Sequence, residues 1–140
     1  MKKILLFSLL FVVFVSGIAF GGETITAKET DSYFYTDGKM EHSKGQFENT
    51  YYIEGDKITR TRVYDVKKKQ VIPDDTVYII QRQLSSDPHN RGVKFRGPVI
   101  RAIGQPGTDA IEILVIGDKF IQSVKSTMDY FVISRYNRID

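Results

Sequence analysis

The chain has no cysteine and no tryptophan, and only two histidines among its 140 residues. Lack of cysteine excludes disulfide scaffolds, thiol nucleophiles, iron–sulfur clusters and cysteine-based zinc sites. His42 and His89 stand in separate segments, so no His-Glu-x-x-His helix exists, and no serine sits in a Gly-x-Ser-x-Gly turn. A glycine-rich phosphate loop is missing as well. Helical patterning is equally scarce, since beyond the N-terminus no window keeps apolar residues at i, i+3, i+4 and i+7 over three turns. The expectation is a non-enzyme with no metal and no cofactor.

The long apolar run stands at the start. Met1-Lys2-Lys3 precedes an apolar stretch from Ile4 to Val15, followed by the small residues Ser16, Gly17, Ala19, Gly21 and Gly22. A basic start, an apolar middle and a small-residue exit form the layout of a secretory signal. Small residues at Gly17 and Ala19, or at Ala19 and Gly21, predict cleavage after Ala19 or Gly21. The alternative is an uncleaved anchor, for which the run is short of the roughly 20 residues of a membrane span. Residues 1–21 are therefore expected to be a signal peptide and residues 22–140 one domain. Localisation is expected to be periplasmic or secreted and bacterial, with no membrane insertion after signal cleavage.

Charge of one sign is also lacking once the signal is set aside. The whole chain carries 20 Lys+Arg against 17 Asp+Glu, and removing Lys2 and Lys3 leaves 18 against 17. The pI near 9.0 overstates how basic the exported part is. Bulk charge gives no support for binding to nucleic acid or to a membrane surface.

What is present is a succession of β-branched and aromatic runs divided by Gly, Asp, Asn and Pro. Strands are expected at Thr24–Lys28, Ser32–Thr36, Gln46–Ile53, Lys57–Asp65, Thr76–Leu84, Val93–Arg96, Val99–Ile103, Ala110–Ile116, Phe120–Val124 and Tyr130–Arg138. Asp37-Gly38 and Glu54-Gly55-Asp56 are tight-turn signals. Lys67–Lys69 is a charged connection, and Pro73-Asp74-Asp75 a further break. Short turns between sequential strands predict an all-β, up-and-down antiparallel meander. Closing it into a small barrel removes both edges, and a two-sheet sandwich is the runner-up.

The segment "GQFENTYYIEGDKITRTRVYD" from Gly45 to Asp65 resembles the hairpin of small bacterial lipocalin-like domains. "IEILVIGDKFIQS" and "YFVISRYNRI" resemble that group's closing hairpins. The resemblance spans about half of the exported chain and implies an eight-stranded barrel with a cavity and no catalysis. The Gly-x-Trp signature of lipocalins is absent, and no site residue is carried over from the family.

The candidate site comes from alternation along one strand. With a period of two, Ile58, Arg60, Arg62 and Tyr64 share a face, as do Tyr78, Ile80 and Arg82 on a later strand, and Val99, Arg101 and Ile103 on the next. Facing a lumen, Arg60, Arg62, Tyr64, Tyr78 and Arg82 would line a ligand site, since arginine offers a planar fork to a carboxylate or phosphate. On the opposite assignment Thr59, Thr61 and Val63 face inward, leaving Arg60 and Arg62 in water beside Glu48 or Glu54. Eight tyrosines suit either a wet cavity or ordinary core packing. Met40 and His42 resemble a copper-binding pair without further ligands. Asp74-Asp75 reads as a turn, and His89 as a loop residue. Two functional expectations result: an exported protein binding a small amphipathic or anionic molecule, or a cell-envelope protein-interaction module without a small-molecule ligand.

Overall fold

The computed structural model describes residues 22–84 and 99–140, with the side chains of residues 82–84 outside that description. Among the described residues ten strands follow one another: β1 (Glu23–Thr36), β2 (Lys39–Ser43), β3 (Phe47–Glu54), β4 (Lys57–Asp65), β5 (Gln70–Ile72), β6 (Val77–Leu84), β7 (Val99–Gly104), β8 (Ile111–Ile116), β9 (Phe120–Ser126) and β10 (Tyr130–Arg138). Eight of them, in the order β1-β3-β4-β6-β7-β8-β9-β10, form an antiparallel ring that closes where β10 pairs back onto β1. The expected meander and barrel are therefore present, and the sandwich is not. β2 and β5 lie off the ring, on β1 and β4 respectively. The signal expected over residues 1–21 and the strand expected at Val93–Arg96 lie outside the described residues.

Turn chemistry fixes the register. Asp37 and Gly38 both adopt positive φ, 49° and 73°, between the paired ends Thr36 and Lys39. That is the backbone a two-residue Asp-Gly hairpin turn demands. Gly55, with φ of 60°, does the same for the hairpin between Glu54 and Lys57.

Three of the ring strands carry bulges, at Thr30 in β1, Thr61 in β4 and Gln81 in β6, each an extra residue facing a shorter partner. A bulge bends its strand and breaks strict alternation, which helps a short sheet roll shut. The bulge in β1 lets one strand of 14 residues run where the sequence predicts two, pairing first with β3 and then with β2.

The lumen has two halves. One end is filled by Ile25, Tyr51, Ile58, Tyr78, Leu114, Ile116 and Ile121, closed over by Ala27, Ala102 and Tyr136. Burying each large side chain there stabilises the fold by about 1.5–3 kcal/mol. Tyr78 lies flat over Gly104 opposite it on β7, where an added Cβ would sit 2.5 Å from the Tyr78 ring. The other end is polar and open.

Candidate functional site

The polar half surrounds a cavity of about 210 Å³ whose walls include Glu29, Ser32, Asn49, Arg60, Asp74, Glu112, Ser123, Lys125 and Ser134. Phe47, Val63, Ile72 and Val132 supply its apolar lining.

Alternation decides which residues reach it, with one interruption. Ile58 and Arg60 point into the barrel, the extra residue Thr61 faces solvent, and Val63 and Asp65 resume the inward set. The expectation that Ile58, Arg60, Arg62 and Tyr64 share a face is corrected here. Arg60 is inside, whereas Arg62 and Tyr64 are on the outer wall, because Thr61 adds one residue between them and shifts the phase. Arg62 bonds Glu48 at 3.1 Å and lies 4.8 Å from the Tyr64 ring centroid. With 41% of its side chain exposed, it is an ordinary surface ion pair.

Arg60 is 7% exposed and fully committed at its tips. Nη1 donates to both Glu112 oxygens at 3.1 and 3.0 Å, and Nη2 donates to Asp74 Oδ2 at 2.7 Å. Its Nε has no partner among the described residues. Tyr78 donates its hydroxyl to Glu112 Oε2 at 2.9 Å, and its ring centroid lies 5.7 Å from the guanidinium. The cluster thus ties β4, β6, β8 and the β5–β6 connection across the lumen. It sits where β4 and β6 pair over only three residues before β5 takes over, leaving Asp74 in the gap.

Burial opposes charge at Arg60, but the two carboxylates outweigh it and hold the guanidinium protonated. Burial would likewise raise Asp74, yet the Arg60 bond and the Thr76 N–H keep it below the ordinary carboxylate range. Desolvation pushes the Tyr51 hydroxyl up to about 12 and raises Tyr78 and Tyr136. All three phenols are therefore neutral hydrogen-bonding groups.

Across the cavity, burial raises the Glu29 carboxyl above its ordinary value, although Oε2 accepts the Gln46 N–H at 2.8 Å. Glu29 Oε1 and Asn49 Oδ1 have no partner among the described residues. Asn49 donates to the Tyr51 hydroxyl at 3.2 Å, and the Ser32 and Ser134 hydroxyls bond at 2.8 Å. Lys125 lines the same space opposite Glu112 in the β8–β9 register, with no ion pair among the described residues.

Of the predicted ligand residues, then, Arg60 and Tyr78 come together, while Arg62 and Tyr64 are on the outside. Arg82 lies just past the β6 bulge, and its side chain is outside the described residues. Arg101 faces solvent on β7. Met40 and His42 project from the exposed β2, where His42 bonds Asp31 at 3.0 Å and stacks on Tyr33 at 4.6 Å. Asp74, read from sequence as a turn residue, is half turned inward, and His89 is outside the described residues. Glu112, Glu29, Asn49 and Lys125 are site residues the sequence reading missed. The available signal was a lone acid at an inward position of "AIEILVI", since a buried carboxylate demands a cationic partner.

No protein-family model, no curated protein and no solved structure matches the chain.

Proposed function

We propose that the protein is an exported, non-enzymatic barrel that binds a small amphipathic molecule in the open half of its lumen. The observation that carries this reading is the cavity itself. Its walls mix aliphatic and aromatic groups with serines, Asn49, Glu29 and an ammonium, Lys125, that no described group pairs. At about 30 Å³ per water the space holds about seven waters. It falls below the roughly 300–1,000 Å³ of drug-sized sites, so the occupant is small. Arg60 is a strut rather than a ligand fork, because both its terminal nitrogens are already bonded to carboxylates. A wholly anionic ligand is thereby disfavoured, and the amphipathic class is retained. Export rests on the basic and apolar N-terminal layout of residues 1–21.

The test is a titration with a library of small polar compounds, followed by amide NMR. The reading expects shifts gathered at Glu29, Asn49, Ser123, Lys125 and Ser134. Compounds that bind while leaving all five amides unmoved would contradict it.

A further inference from the structure

β2 pairs on one edge with residues 32–36 of β1, and among the described residues no strand joins its other edge. The Asp37-Gly38 turn fixes which atoms that open edge presents. Thr36 and Lys39 close the two-residue hairpin and exchange its first ladder bonds. Bonding alternates from there, so Glu41 and Ser43 also turn their backbone groups to β1. Met40 and His42 turn theirs outward, where no described backbone group bonds them. The side chains divide between two faces. Met40, 68% exposed, continues a row with Tyr35 and Phe131, its register neighbours on β1 and β10. The Tyr35 and Phe131 rings lie 5.2 Å apart and are both exposed. Lys39 and Glu41 stand on the other face of β2, both in solvent, and neither has an ion pair among the described residues.

We infer that β2 pairs with β2 of a second copy of this chain, antiparallel and centred on Met40. In that register the two Met40 residues exchange backbone N–H and C=O bonds across the open edges. Lys39 then falls opposite the second copy's Glu41, and Glu41 opposite its Lys39, with Cβ atoms about 5 Å apart. The order Lys39, Met40, Glu41 is thus self-complementary about a two-fold axis. A register centred on Glu41 obeys the same bonding alternation but sets two carboxylates face to face, which is destabilising. The apolar row runs on across the axis, with Phe131, Tyr35 and Met40 of one copy meeting Met40, Tyr35 and Phe131 of the other. Lysine on an edge strand ordinarily deters a further strand. Here only a strand with the opposite order of charges answers it, and β2 itself has that order when it runs antiparallel. Edge pairing engages the rim of one strand, so the curvature of the barrel does not oppose it. A five-residue strand makes a small contact, so the dimer is a weak, reversible one. The lumen cavity takes no part, and either inference can fail alone.

The test is sedimentation equilibrium of the full chain over a range of concentrations, with circular dichroism verifying that each variant is folded. The expected result is a reversible monomer–dimer equilibrium. Its dissociation constant is expected to rise roughly tenfold or more in Met40→Pro, which removes the central N–H from the open edge and leaves the pairing with β1 intact. Lys39→Glu and Glu41→Lys each set like charges opposite one another and are each expected to weaken the dimer by roughly tenfold or more. An equimolar mixture of those two variants is expected to pair as a heterodimer, because each supplies the charge the other lacks. Should Met40→Pro lose the fold, these two solvent-exposed changes carry the test. A monomer at every concentration would overturn the inference. So would a mixture that stays monomeric, or association unchanged in all three variants, which the N-terminal apolar run alone would produce. A monomer whose Met40 and His42 amides resist hydrogen exchange would assign the edge to another segment of the same chain instead.

Discussion

Arg60 and Arg62, two positions apart on β4, leave the strand on opposite faces because one extra residue, Thr61, stands between them. One guanidinium holds two carboxylates inside the barrel; the other lies over a tyrosine in water. The same residue type, almost adjacent in sequence, thus contributes to stability on two different scales.

The first prediction measures that contrast. Arg60→Leu leaves Glu112 buried without its cation and is expected to cost about 3–5 kcal/mol. Arg62→Leu breaks an exposed pair and is expected to cost no more than about 1 kcal/mol. Urea unfolding of the two variants reads the difference directly. Equal losses would show that Arg60 is not a strut.

Removing both ends of the strut should hurt less than removing one. In Arg60→Leu/Glu112→Leu no unpaired charge remains between those two positions, so the double variant is expected to be more stable than the sum of the single losses implies. The cycle is closed by measuring all four proteins under one set of conditions, and additive losses would count against coupling.

Gly104 carries the Tyr78 ring. A Cβ at that position would approach ring atoms at 2.5 to 2.9 Å, and the ring, unlike a flexible chain end, has to move as a body. Gly104→Ala is therefore expected to cost about 1–3 kcal/mol and to displace Tyr78 from Glu112. With no tryptophan in the chain, near-ultraviolet circular dichroism reports the tyrosines, and an unchanged tyrosine signal would argue against the displacement.

Glu29 gives a pH dependence whose sign follows from its raised native pKa. Between the ordinary glutamate value, about 4.3, and the raised one, the native state keeps a proton that the unfolded chain has released. Stability therefore falls as pH rises through that window, and the loss persists at neutral pH. Glu29→Gln has no such proton. It is expected to melt a few degrees higher than the unaltered protein at pH 7 and to show no gain at pH 4. A variant less stable at pH 7 would contradict the assignment.

Much of the ring was legible in the sequence because its turns carry their own chemistry. Asp37-Gly38 and Glu54-Gly55-Asp56 fall at hairpin ends, as the glycines require. The misses have physical causes. β2 reads "KMEHS", almost wholly exposed, and is a strand only because it pairs with an available edge of β1. β5 is three residues long and follows three lysines. β1 passes through Glu29, Thr30 and Asp31, which look like a break but form a bulge. Strict alternation grouped Arg60 with Ile58 and Tyr78 with Ile80, left open which face is the inner one, and failed at Arg62, since nothing local in "TRTRV" marks where a bulge will form. Glu112 and Asp74 are 52 and 14 residues from Arg60, and only closure of the barrel brings the three together.

The most direct measurement is native mass spectrometry of the protein recovered from the cells that make it, compared with Ser123→Phe, which fills the cavity from β9. The account predicts a bound small molecule on the unaltered protein and its loss from the folded variant. A bare protein mass in both samples, or an adduct carried equally by both, would contradict the claim that the open half of the lumen is a binding site.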